Sequence, residues 1–191
     1  TVNCVSGAES PPPPIDTSPT PQYLINNMET TARVDGDLVR FSTRLAFTTL
    51  TEGWHNFKLF PLQASLTEYK VKKGKEKNLL LSRKKDGYYL FVGAPAVYEV
   101  QIDYVARIRR EKLGYATTFY FIPSANNSSV RFVIPFKDAQ VSVQPEINYG
   151  VVPGRSNTEV VLYNTTVEEA ALSWSGEEAA RIVPTYFAEQ R

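Results

Sequence analysis

The stretch Val39-Arg40-Phe41-Ser42-Thr43-Arg44-Leu45-Ala46-Phe47 decides the fold class of this chain, because apolar and polar side chains alternate along it. Its odd-numbered positions are mostly apolar and would share one face of an extended strand, whereas its even-numbered positions are mostly polar. A helix would instead repeat apolar residues every three or four positions. The stretch therefore predicts a half-buried β-strand.

The same alternation recurs on both sides of this stretch. Residues 98–104 repeat it, and turn sequences such as Asp35-Gly36-Asp37 and Lys85-Asp86-Gly87 separate candidate strands. Asp-Gly readily supplies the backbone conformation of a tight hairpin. No amphipathic segment is long enough to be the crossover helix that a parallel α/β sheet requires. The sequence predicts an all-β, antiparallel sandwich of about 10–12 strands.

The placement of proline predicts two parts within the 191 residues. Residues 1–22 form a proline-rich extended arm, because proline fixes φ and donates no backbone hydrogen bond. Residues 23–191 form a single β-sandwich domain, a length that buries a sizeable core without disulfides.

Two segments are predicted to meet neighbouring molecules. One is the arm, in particular Pro11, Pro12, Pro13 and Pro14, and the other is the apolar segment around Ile182, Tyr186 and Phe187 near the C-terminus. An extended segment can pair with the free edge of another sheet. The partners expected from this pattern are other copies of the chain or adjacent β-rich modules, so the protein is expected to self-assemble.

The sequence lacks the residues that most enzymes need. It contains one cysteine, Cys4, and one histidine, His55, and these lie about fifty positions apart. A hydroxyl or thiol nucleophile needs a base within reach, usually a histidine that a carboxylate orients. Neither a phosphate-binding glycine loop nor a metal-ligand set is present. We expect a non-enzymatic protein without metal or cofactor.

The charge pattern leaves three interpretations open. The net charge is +1, yet residues 70–85 carry eight basic residues against Glu76 alone. These lysines could protect a sheet edge from unwanted pairing, bind a polyanion, or contact another copy. Nucleic acid is not expected as a partner, since no recognition module is present.

An alternative function is the binding of a carbohydrate or polyanion. Trp54 lies beside a turn, where an exposed ring could stack on a sugar, whereas Trp174 at a strand position is expected in the core. The candidate ligand-binding residues are Trp54, Tyr88, Lys72, Lys73, Lys75 and Lys84.

Three asparagines, Asn126, Asn127 and Asn164, begin acceptor sequences for N-glycosylation, and all three fall between predicted strands. With the proline arm, they predict an extracellular or cell-surface glycoprotein. No stretch approaches the apolar length of a transmembrane segment.

The order Gly36-Asp37, Gly53-Trp54, Asp86-Gly87-Tyr88-Tyr89-Leu90 and Phe121-Ile122-Pro123 resembles a β-rich module of large envelope-associated proteins of planctomycete-type bacteria. The resemblance covers about residues 28–175 and implies an N-terminal module followed by further β-rich sequence. It implies no catalytic residues. Separately, Ser10-Pro11-Pro12-Pro13-Pro14 is similar to the repeat of extensin-type cell-wall glycoproteins.

Overall fold

A computed structural model describes residues 22–112, 114–122, 127–163 and 167–176. In these ranges the chain forms fourteen strands and one 3₁₀ turn at Glu76–Asn78, without an α-helix. The strands are β1 (Tyr23–Asp35), β2 (Leu38–Thr49), β3 (His55–Phe60), β4 (Ala64–Lys73), β5 (Leu79–Lys84), β6 (Gly87–Val92), β7 (Ala96–Arg107), β8 (Arg109–Glu111), β9 (Gly114–Tyr120), β10 (Ser128–Ile134), β11 (Gln140–Gln144), β12 (Tyr149–Pro153), β13 (Thr158–Tyr163) and β14 (Glu169–Ser175). No helix in the described part is long and apolar enough to cross a membrane.

The first layer is a seven-stranded sheet with the order β12-β13-β10-β1-β2-β7-β4. Its centre is the hairpin of β1 and β2, whose tight turn contains Gly36 at φ +62°. Glycine adopts this left-handed conformation without a steric penalty. Strand β1 pairs antiparallel with β2 and parallel with β10, so the sheet is mixed.

Two small antiparallel sheets, β3-β6-β5 and β11-β14-β9-β8, form the second layer. Phe47 of β2 meets Phe57 of β3 edge to face at 5.2 Å, and Phe132 of β10 lies 5.4 Å from Trp174 of β14. Both small sheets therefore pack on the same face of the seven-stranded sheet. One continuous cluster of buried apolar side chains joins all three sheets, and removal of this apolar area from water stabilises the fold.

The opposite face of the seven-stranded sheet is polar and open to solvent. Its cross-strand ion pairs are Arg40–Asp35 (2.5 Å), Arg44–Glu99 (3.2 Å) and Arg131–Glu159 (3.3 Å). Each exposed pair contributes little to stability, about 0–1 kcal/mol. These charges instead keep water on a wide sheet face, over which none of the described elements packs.

The all-β prediction is confirmed, and the structure refines it in two respects. The described residues contain fourteen strands, where about 10–12 were predicted, and β1 and β10 run parallel rather than antiparallel. Among the strands that the sequence did not indicate is β4, whose pairing with β7 shifts register twice, between Leu66 and Glu68 and between Val71 and Lys73. Such bulges interrupt the alternation on which a strand prediction depends.

Three tyrosines in or beside the core make stability sensitive to high pH. Burial raises the pKa of Tyr104 well above its ordinary value. Burial raises the pKa of Tyr69 and of Tyr120 to about 12, with a smaller contribution from Glu76 and Glu169, respectively. An unfolded tyrosine loses its proton near pH 10, before these folded ones do. We therefore expect a constant tyrosine contribution below about pH 9 and a falling free energy of unfolding above about pH 10.

The substitution Tyr104→Phe tests this expectation. In urea-unfolding experiments between about pH 8 and pH 11, the variant should by pH 11 have lost about 1.4 kcal/mol less in total than the parent. The control Tyr163→Phe removes the hydroxyl of an exposed ring and should keep the parent's slope. Equal slopes for the parent and Tyr104→Phe would contradict the assignment.

Candidate functional site

His55 lies at the start of β3, where it is held by polar neighbours. Its Nε2 is 2.9 Å from Thr51 Oγ1, and its Nδ1 is 3.1 Å from Gln22 Oε1. No carboxylate pairs with the ring among residues 22–112, 114–122, 127–163 and 167–176. The contacts tie the chain before β1 to the turn before β3, which is a structural role.

The acidic turn Asp35-Gly36-Asp37 is neutralised by arginines. Asp35 pairs with Arg40 at 2.5 Å, and Asp37 pairs with Arg110 at 3.2 Å. Within the described ranges, no group of three or more His, Cys, Asp or Glu side chains could hold a metal ion.

A groove of about 690 Å³ crosses the charged face of the seven-stranded sheet. Arg33 and Arg40 line it on β1 and β2, and Asp103 and Glu68 line it on β7 and β4. The Ser42 hydroxyl donates to Asp103 at 2.7 Å, and Arg40 and Glu68 have ion-pair partners of their own. Most of these charges are therefore satisfied within the protein.

The two tryptophans differ sharply in exposure. Trp54 is 60% exposed, whereas Trp174 is 3% exposed in the core. A Cβ built on Gly93 would lie only 2.8–3.0 Å from atoms of the Trp54 ring, so the ring rests against the backbone of Gly93. The structure thus makes Trp54 accessible and fixes the surface behind it.

The structure does not bring Tyr88 to the same surface as Trp54. Tyr88 shares its direction along β6 with the buried residues Leu90 and Val92, and its ring packs on Phe60 at 4.9 Å. Its neighbour Tyr89 points away from the core instead. The alternation of side chains along β6 could have shown this from the sequence. Leu90 and Val92 are the apolar positions expected inside, and Tyr88 shares their side of the strand.

The predicted lysines are spread over three places. Lys72 and Lys73 lie on β4 at the edge of the seven-stranded sheet, and Lys75 precedes the 3₁₀ turn. Lys84, on β5, places its Nζ 4.5 Å from the centroid of the Tyr89 ring and 4.7 Å from that of Phe91. Sequence reasoning named the lysine and missed both rings beneath it.

Asp86 connects Tyr89 to Lys58 at the hairpin turn between β5 and β6. The Tyr89 hydroxyl donates to Asp86 at 2.7 Å, and Lys58 Nζ donates to the same oxygen at 3.3 Å. The hydrogen bond from Tyr89, followed by Lys58, lowers the pKa of Asp86, and the same bond raises the pKa of Tyr89. Asp86 thereby fixes the Tyr89 ring and neutralises Lys58.

Several predicted sites lie outside the described residues. They are Pro11, Pro12, Pro13, Pro14, Asn126, Asn164, Ile182, Tyr186 and Phe187. Asn127 is described: it is exposed in a bend before β10, and its carbonyl accepts the Met28 N–H at 2.8 Å. Glycosylation of these asparagines and assembly through the two end segments stay predictions.

Solved structures share the fold over most of this chain. A "putative nutrient binding protein" of Legionella pneumophila aligns over 81% of this chain and 67% of its own, with TM-score 0.58 and 7% identity. Yeast LTA4 hydrolase aligns over 81% and 29%, with TM-score 0.51 and 11% identity. The M1 zinc metallopeptidase of Deinococcus radiodurans aligns over 80% and 42%, with TM-score 0.48 and 7% identity. The likeness to the first two of these structures is one of fold alone.

No family model and no curated protein sequence matches this chain. The chain spans less than half of the metallopeptidase and less than a third of the hydrolase.

Proposed function

We propose that this chain is a non-enzymatic module of the cell exterior that mediates protein–protein contacts, and that its partner is a second copy bound at β12. The observation that carries the proposal is the difference between the two edges of the seven-stranded sheet. These edges are β4 and β12.

Strand β4 is protected against pairing. It carries Lys70, Lys72 and Lys73, and its register with β7 shifts twice. Lysines and bulges on an edge both oppose the addition of another strand. This arrangement supports the edge-protecting interpretation of these three lysines.

Strand β12 has none of these features. Residues Tyr149–Pro153 include no charged side chain and pair with β13 without a register shift. Tyr149, Val151 and Val152 are 38%, 44% and 56% exposed. An uncharged, exposed and apolar edge is a site where another strand can pair.

The hydrogen-bond pattern supports pairing with an identical strand. Tyr163 N–H donates to the Asn148 carbonyl at 3.2 Å, so the backbone groups of Asn148 face β13. Backbone N–H and C=O groups of successive residues point to alternate sides of a strand. Those of Tyr149, Val151 and Pro153 therefore face the open edge. In a two-fold antiparallel pair with Val151 opposite Val151, each Tyr149 N–H faces a Pro153 carbonyl of the other copy. Pro153, which has no N–H, then acts only as an acceptor.

Sedimentation velocity on the full chain tests the proposal. The parent should show a concentration-dependent dimer, and Val151→Lys should sediment as a monomer because it places a charge on the paired edge. Val97→Lys is the matched control, since Val97 is 46% exposed against 44% for Val151 and lies on β7. A monomeric parent, or a dimer that survives Val151→Lys, would refute the proposal.

A further inference from the structure

The outer face of the three-stranded sheet carries a row of aromatic side chains. Along β6, Leu90 and Val92 are buried, so Tyr89 and Phe91 point to the opposite face. Their neighbours in register on that face are Lys58 and Asn56 of β3 and Ser82 and Leu80 of β5. Leu80 is 56% exposed, so none of the described elements covers this face there.

Trp54 extends the row by one position. A side chain at Gly93 would follow Tyr89 and Phe91 on the same face, and the Trp54 ring occupies that place. Alternate residues along a strand lie roughly 7 Å apart, so Tyr89, Phe91 and the Trp54 ring at Gly93 follow one another along this face. We call this line the aromatic row. The Trp54 indole has no hydrogen-bond partner in the described part of the chain.

The positive charge along the aromatic row is available to a ligand. Lys84 sits above Tyr89 and Phe91 and forms no ion pair with any described residue. At the other end, the Gly93 N–H donates to the Asn78 carbonyl at 2.8 Å. Lys77 is the residue before Asn78, one position from the backbone that pairs with Gly93, and it forms no ion pair among the described residues.

We propose that the aromatic row binds an acidic saccharide, with sugar rings stacked on Trp54 and along Phe91 and Tyr89, and carboxylate or sulfate groups on Lys84 and Lys77. Aromatic rings present apolar faces that suit the C–H faces of sugars, and an ammonium group held over a ring can still receive an anion. Because this site lies on β3, β5 and β6, it is independent of dimer formation at β12.

The polar groups beside the row favour a saccharide over a nucleic acid strand. Asn56 and Ser82 offer donors and acceptors that match sugar hydroxyls. A nucleic acid strand would also stack its bases on such rings. Oligothymidylate is therefore included as a probe in the test, to distinguish the two classes of ligand.

Intrinsic fluorescence provides a direct test, because Trp54 is exposed and Trp174 is buried. The probes are polygalacturonate for carboxylates, heparin for sulfates, dextran as a neutral sugar and oligothymidylate as a nucleic acid. We expect at least one acidic saccharide to shield Trp54 from acrylamide, and dextran and oligothymidylate to leave quenching unchanged. Lack of shielding by both acidic saccharides, or equal or stronger shielding by dextran or oligothymidylate, would overturn the proposal.

Variants locate the site. Trp54→Ala should weaken binding about tenfold or more in affinity electrophoresis, the loss expected when one stacking platform is removed. Tyr163→Ala is the control, because Tyr163 is a 55% exposed aromatic residue on the seven-stranded sheet. Gly93→Ala should also weaken binding, since its Cβ displaces the Trp54 ring while tryptophan fluorescence is retained.

A charge-reversal pair separates the role of Lys84 from that of net charge. Lys84→Glu should weaken binding, and Lys112→Glu, an exposed turn residue between β8 and β9, should not. Thermal unfolding of each variant identifies any loss that comes from misfolding. Unchanged affinity in folded Trp54→Ala or Gly93→Ala protein, or equal losses in the two charge-reversal variants, would refute the site.

Discussion

Phe47→Ala is expected to lower the free energy of unfolding by about 3–5 kcal/mol. Phe47 is fully buried and meets Phe57 of the three-stranded sheet and Tyr98 of β7, each at 5.2 Å. Truncation would leave a cavity where the two layers join, and the β-sheet backbone on either side cannot close in to fill it. Chemical denaturation monitored by circular dichroism measures the loss.

Phe136→Ala is the matched control for this prediction. Phe136 is 37% exposed, and its main ring contact is a stack on Tyr115 at 6.2 Å. Its truncation should cost about 1 kcal/mol, because water already reaches the ring. Equal losses for Phe47→Ala and Phe136→Ala would contradict the central position assigned to Phe47.

Gly74→Ala is the second substitution with a large expected effect, a loss of about 3 kcal/mol in the free energy of unfolding. Gly74 adopts φ +101°, and a Cβ there would lie 2.3 Å from Cδ1 of Tyr98. The Tyr98 ring cannot move aside easily, since it is fully buried and stacked on Phe47, and its hydroxyl donates to the Ala94 carbonyl at 2.9 Å.

Gly150→Ala tests whether this loss comes from strain and collision rather than from the exchange of glycine itself. A Cβ at Gly150 meets no atom within 4 Å, and Gly150 is not among the positive-φ glycines. Its free energy of unfolding should change by less than about 0.5 kcal/mol. A comparable loss at both positions would show that the Gly74 contact has been misassigned.

The candidate sites show where local sequence reasoning stops. Trp54 could be selected as an exposed ring because it lies beside a turn, and Trp174 could be placed in the core because it lies in a strand. Tyr88 lies on the other face of β6 from the Trp54 ring, and the alternation of β6 already separates Tyr88 from Tyr89. Phe91 and Gly93 could not be recognised, because their roles depend on the ring of Trp54, which precedes β3 and is distant in the chain.

The sequence by itself determined the all-β class, the turn before β2, the β5–β6 hairpin, and the inward side of strands such as β2 and β7. These features follow from neighbours one or two positions apart, whose side chains alternate about the backbone. Only the tertiary structure decided that β10 lies parallel to β1, that β4 and β12 are the edges, and that Trp54 rests on Gly93. Each of these arrangements depends on residues that are far apart in the chain. Which strands become neighbours is decided by how the whole core packs rather than by any local pattern.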